Sequence, residues 1–400
     1  MVSGAGYTIK CKLISKNRNR SQFSRMMEKT IFENTILKII FPKNCVNLMT
    51  EATTNFRPTK APMAFLVAKD RSGTTLLQTM LDSHPNICAP LESRFVLHLK
   101  NKYENKTRWN NAVKAKFIKD LFKEEKMVLL WELDLEALNR RLGNLPEITS
   151  YGEVCKQVYV SSKSFHTKGT AKLIVDKNPI YAIMIPFLQK IYPEAKFIHL
   201  IRDYHGNISS ILNLHKDTSV KKLGLSWIMT NSEIEKSKQK SPENFITLRY
   251  EDLLDDPKNE LERLVTFFNL EFHHNMLSYH ERIANAISDY VDRSPNEKVR
   301  KVREIGIAKV HKNLSKPIDN SFKDKWKETM SKEEIQTLEK YCSKFGERYD
   351  YTRTTLVAQK EEAIPTSLLF ERDKLRLYYE LPIWLRELKS KPSMPFIPKQ

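Results

Sequence analysis

Four short apolar runs, each leading into a polar, often basic turn, set the rhythm of this chain. Met63–Ala68 is rich in strand formers and short enough for a buried strand. Lys69–Thr75 follows as a small polar turn around Gly73, and then the period changes. Leu76, Leu77, Met80 and Leu81 fall at helical spacing until His84-Pro85 stops the run. Lys172–Asp176 predicts a second strand, followed at once by Lys177-Asn178-Pro179. Ala195–Ile201 predicts a third, ending in Arg202-Asp203, with a helix from about Gly206 to Leu214 whose Ile208, Ile211 and Leu212 face inward. Ile246–Leu254 predicts a fourth strand running into a turn, and Pro257 starts a helix over Glu260–Phe268. Strands alternating with helices imply an α/β fold: a P-loop-like, mostly parallel sheet flanked by helices, with ligands at the strands' C-terminal edge.

The remaining segments read as helical additions. Phe95, Leu97, Leu99 and Tyr103 mark a helix; Glu92 stands at its start, beside a candidate cap at Ser93, where the helix dipole favours an acid. Residues 104–165 read as mostly helical insertions, with one apolar face through Trp109, Val113, Phe117, Leu121 and Phe122 and a second helix marked by Trp131, Leu133, Leu135 and Leu138. Lys332–Phe345 reads as a closing helix. The organisation expected is a basic, poorly ordered extension over 1–60, one domain over 61–350, and an amphipathic helical tail over 351–400. That tail could dock on a membrane surface, a partner or its own domain; self-docking is the default.

A formal charge of +19 changes the picture, because it asks for an anionic partner or a strongly solvated surface. No helix-turn-helix, zinc-finger or aromatic RNA-binding signature accompanies it, which disfavours nucleic acid. Five scattered cysteines without a C-x-x-C argue against a disulfide framework or zinc site and for a reducing compartment. The sequence has no apolar run of membrane-spanning length, so the expectation is a cytoplasmic protein.

Chemistry concentrates in the turn after the first strand. Strand, phosphate-sized loop and helix place backbone N–H groups where they meet an anion, and Thr74, Thr75 and Arg71 add side-chain donors. The usual triphosphate loop, G-x-x-x-x-G-K-[ST], has its lysine after the second glycine and a hydroxyl on magnesium. Here Gly73 is followed by Thr74, and the cations Lys69 and Arg71 precede it, so a phosphate can be held without a metal. Arg71-Ser72-Gly73-Thr74-Thr75-Leu76-Leu77, with Leu81-Asp-Ser-His-Pro85 behind it, resembles the 5′-phosphosulfate loop of sulfotransferases that use 3′-phosphoadenosine 5′-phosphosulfate (PAPS), most closely the tyrosylprotein and bacterial branches. Arg202 with Ser210 eight residues on resembles the second signature of that superfamily, the 3′-phosphate site; Tyr204-His205 depart from it, as do Ala68 and Asp70 before the loop.

The resemblance, spanning roughly residues 62–350, implies roles. Arg71 and Ser72–Thr75 would hold the 5′-phosphate, and Arg202 and Ser210 the 3′-phosphate. Tyr250, in an Arg-Tyr-Glu-Asp-Leu stretch, would approach the nucleotide, and Lys316, ten residues before Trp326 in a basic loop with Lys309, His311 and Lys312, would fold over it. Lys177 would neutralise charge on the leaving oxygen. Glu92 falls on the family's base, with Arg94 on the arginine that follows, and a carboxylate there would take the acceptor's proton. The implied activity is sulfuryl transfer from PAPS to a hydroxyl or amine of a small-molecule, glycan, lipid or peptide acceptor. Two rival readings are a P-loop nucleotide kinase, which lacks its Gly-Lys-Ser/Thr step here, and a non-catalytic basic protein binding polyanions.

Overall fold

A computed structural model describes residues 58–215, 217–305, 312–381 and 385–386 of the chain. Its centre is a five-stranded sheet of β1 (Met63–Val67), β2 (Ile87–Cys88), β3 (Leu173–Lys177), β4 (Lys196–Ile201) and β5 (Phe245–Arg249), in the order β2-β3-β1-β4-β5. Every pairing is parallel, so helical connections must cover both faces. β1 shows the result. Met63, Phe65 and Val67 enter one buried cluster, Ala64 and Leu66 the cluster on the opposite face, as the two-residue repeat of a strand requires.

The register decides where the chemistry lies. Leu66 pairs with Lys177 across β1 and β3, Val67 with His199 across β1 and β4, and Ile201 with Arg249 across β4 and β5. The loop after β1, the end of β3, Arg202 after β4 and Tyr250 after β5 therefore leave the sheet at one edge, as expected for an open α/β sheet.

The helices that shape this edge are α1 (Thr74–Ser83), α2 (Phe95–Tyr103), α3 (Glu125–Leu129), α4 (Tyr204–Leu212), α5 (His280–Asp292) and α6 (Thr366–Glu380). Several differ from the sequence expectation for local reasons. α4 begins two residues early because the Asp203 side chain caps it, accepting the His205 N–H. The helix after β5 covers Pro257–Phe267, capped by Asp256 with proline in its first turn. Trp131 and Leu133 precede their helix, which starts at Leu135; Trp131 instead donates its indole N–H to the Leu91 carbonyl, 2.7 Å away. β2, two residues long, is too short to leave a periodic signal. The tail helix α6 packs against α2: the Asn101 amide donates to the Leu381 carbonyl at 2.7 Å, and Arg376 reaches Glu233 at 2.7 Å.

Gly73 is the backbone's most constrained position. Its φ of +89° lies in the left-handed region, and a Cβ added there would stand 2.4 Å from Tyr250 Cδ2 and 2.5 Å from Cε2. Gly73→Ala should therefore lose on the order of 3 kcal/mol of stability, combining left-handed strain with overpacking. Urea denaturation would read this as a lower midpoint at unchanged slope; an unchanged midpoint would contradict it.

Candidate active site

The turn between β1 and α1 is held open by its own backbone. Arg71 has φ of +65° and Gly73 of +89°, so two residues in close succession take left-handed conformations. For a non-glycine residue that is a strained state, and strain of this kind persists where the surroundings enforce it. Asn207 on α4 supplies part of the enforcement, donating to the Asp70 carbonyl at 2.8 Å and the Ser72 hydroxyl at 3.1 Å. The first turn of α1 has no side-chain cap, so its N-terminal N–H groups at Thr74 and Thr75 stay available to an anion.

Two arginines converge on this turn. Arg71 Nε donates to the Ser210 hydroxyl at 3.2 Å, joining residues 139 positions apart. Arg202 Nη1 donates to the Arg71 carbonyl at 3.2 Å and Nη2 to the Phe322 carbonyl at 3.1 Å. The Arg202 guanidinium lies over the Tyr250 ring, 4.5 Å from its centroid. Its Nε is buried without a hydrogen-bond partner among the described residues. Burial and the neighbouring Arg202 charge hold Arg71 below the usual guanidinium range. Cationic groups crowded together in this way suit an anionic ligand.

Glu92 forms the second half of the site. It stands outside the first turn of α2, which begins at Phe95, so the expected dipole contact is replaced by side-chain ion pairs. One carboxylate oxygen takes the Lys177 ammonium at 3.2 Å, and the other pairs with Lys126 on α3. Burial acts to raise the pKa of Glu92, but Lys177, Lys126 and Arg94 more than reverse it and hold the carboxyl well below its ordinary range. Asp176, next to Lys177, behaves oppositely: burial pushes it up to about 7, although the Tyr159 and Tyr181 hydroxyls donate to it. Its contribution to stability is therefore greatest below the ordinary aspartate range and is lost as pH rises toward 7.

Most of the residues singled out in the sequence meet here. Arg71, Ser72, Gly73, Thr74, Thr75, Arg202, Ser210 and Tyr250 share the sheet edge, with Glu92 and Lys177 as a bonded pair beside it. Lys316 is exposed; its carbonyl takes the Tyr279 hydroxyl at 3.1 Å, and its ammonium lowers the pKa of Asp319. Lys309 and His311 lie outside the described residues. Lys69 turns inward, buried beside Asp70. His205, one of the departures from the superfamily pattern, is buried and stacked on Trp326 at 4.1 Å.

Arg94 also turns inward. It is buried, its Nε reaches the Asn178 side-chain oxygen at 3.4 Å, and Tyr379 of the tail helix couples to it electrostatically. Lys126, Asn178, Asn207 and Tyr379 had no motif to announce them. Only Asn207 carried a local hint, five residues past Arg202 on the same helix.

A family model described as "Sulfotransferase family" matches residues 62–274, 213 of the 400 residues. The chain is similar to omega-hydroxy-beta-dihydromenaquinone-9 sulfotransferase Stf3 of Mycobacterium tuberculosis, with 27% identity over 45% of this chain and 47% of that protein. It is also similar to protein-tyrosine sulfotransferase 1 of Danio rerio, with 24% identity over 62% of this chain and 65% of the relative. It thus spans about half to two-thirds of the length of these curated relatives. Among solved structures, the sulfotransferase domain from the Synechococcus PCC 7002 olefin synthase aligns with a TM-score of 0.46 at 20% identity, covering 76% of this chain and 98% of that domain.

Proposed function

The chain belongs to the sulfotransferase family, and from that premise we propose that it transfers a sulfuryl group from PAPS to a hydroxyl or amine acceptor. The observation that carries the reading is the convergence of Arg71, Ser210 and Arg202 on one uncapped helix start. The residues fit a doubly phosphorylated nucleotide: a buried Arg202 Nε lacks a partner among the described residues, and a Cβ at Gly73 would fill the turn.

In this reading Arg71, Ser72, Gly73 and the amides of Thr74 and Thr75 bind the 5′-phosphate, while Arg202 and Ser210 bind the 3′-phosphate. Bound PAPS supplies the activated sulfuryl group. Tyr250 packs along the nucleotide beside Arg202, and Lys316 closes over it. Lys177 directs its ammonium at charge developing on the leaving oxygen. Glu92, kept ionised by Lys177 and Lys126, accepts the acceptor's proton at a carboxylate oxygen.

Titration calorimetry with the desulfated nucleotide 3′-phosphoadenosine 5′-phosphate tests the reading. Binding at least tenfold tighter than ATP, without magnesium, is expected. Tighter, magnesium-dependent binding of ATP would replace it with the kinase reading.

A further inference from the structure

A second feature of the site has no part in holding a nucleotide. Between the flank of α1 and α5 lies a cavity of about 50 Å³. Its wall runs from Thr75 in the phosphate loop to Leu91, next to Glu92, and to Leu130, one residue past the helix that carries Lys126. The space therefore begins where an acceptor has to stand. Trp131, Phe165 and Ile287 complete an apolar lining, and Leu91, Phe165 and Ile287 pack with Tyr290 as a cluster separate from the main core.

The charges in this wall are already matched. Asp82 pairs with Lys168 at 3.0 Å, and Glu132 pairs with Arg293 at 3.1 Å and Arg303 at 3.5 Å. An acidic peptide would have to break the Glu132 pairs to find a cation there. A sugar ring would press hydroxyls on carbon and leave them unbonded, which is costly. Size argues the same way: at 10–15 Å³ per water-sized group, the cavity admits about four such groups.

We infer that the acceptor is an alcohol whose hydroxyl ends a slender apolar chain, its first carbons threading this slot while the oxygen faces Glu92. This rests on the sulfuryl-transfer reading, and the reaction balances simply. The alcohol oxygen forms a bond to sulfur, the bond from sulfur to the phosphate oxygen breaks, and the proton passes to Glu92.

The test uses the full chain. Calorimetry first establishes binding of 3′-phosphoadenosine 5′-phosphate, then of n-decanol to that complex. Turnover with PAPS is compared for n-decanol, an acidic tyrosine peptide and a heparan disaccharide. Decanol should bind the complex and exceed both in kcat/KM by at least tenfold. Ile287→Phe should raise the decanol KM about tenfold, with nucleotide affinity unchanged. Ile287→Ala should instead admit a branched alcohol such as cyclohexylmethanol. Preference for the peptide or disaccharide, or a decanol KM indifferent to Ile287→Phe, overturns the slot while leaving sulfuryl transfer standing. Absent nucleotide binding removes both.

Discussion

Glu92→Gln should lower kcat by roughly 10²–10⁴-fold, the usual worth of a positioned general base, with the affinity for 3′-phosphoadenosine 5′-phosphate almost unchanged. The side chain keeps its shape but loses the charge that pairs with Lys177 and Lys126. Because Lys126 is 33% exposed, its ammonium can turn toward water, and the fold should survive. A pH signature accompanies the kinetic one. The Glu92 pKa is lowered on folding, so the ion pairs add stability above the ordinary glutamate value of 4.5 and lose it as pH falls below. The stability difference between wild type and Glu92→Gln should therefore shrink in acid. Normal turnover in the variant, with nucleotide binding intact, would remove Glu92 as the base.

Arg202→Ala should weaken binding of the same nucleotide by roughly 10–150-fold, taking about 1.5–3 kcal/mol for lost hydrogen bonds to a charged group. Arg202→Lys should recover little of it, because an ammonium cannot reproduce a fork that spans the Arg71 and Phe322 carbonyls and lies on Tyr250. Calorimetry at fixed ionic strength reads both variants. Equal affinities in wild type and Arg202→Ala would place the 3′-phosphate elsewhere.

Much of this site was legible before any coordinates. Arg71–Thr75 and Arg202 with Ser210 stand in strand–turn–helix units whose periodicity is local, and the structure has both units in one parallel sheet, on adjacent strands β1 and β4. The detail was less legible. The two arginines are in direct contact through the Arg71 carbonyl, and Ser210 serves Arg71 instead of Arg202. Lys126 belongs to a helical insertion, 34 residues from the carboxylate it pairs with, and nothing in its neighbours marks it. Arg94 matches the family's arginine in sequence, yet lies buried and coupled to Tyr379 from the far end of the chain.

The sequence by itself determined the strands around the loop, the glycine that lets the turn bend, and the types of residue at each strand's end. Those properties depend on neighbours along the chain: alternation, helical spacing and the φ each residue tolerates. Tertiary structure alone decided which charges share a space, that Glu92 sits between two lysines, and that an apolar slot lies beside it. Electrostatic coupling and shape depend on distance through space, and strand order 2-3-1-4-5 brings together groups that the chain itself holds far apart.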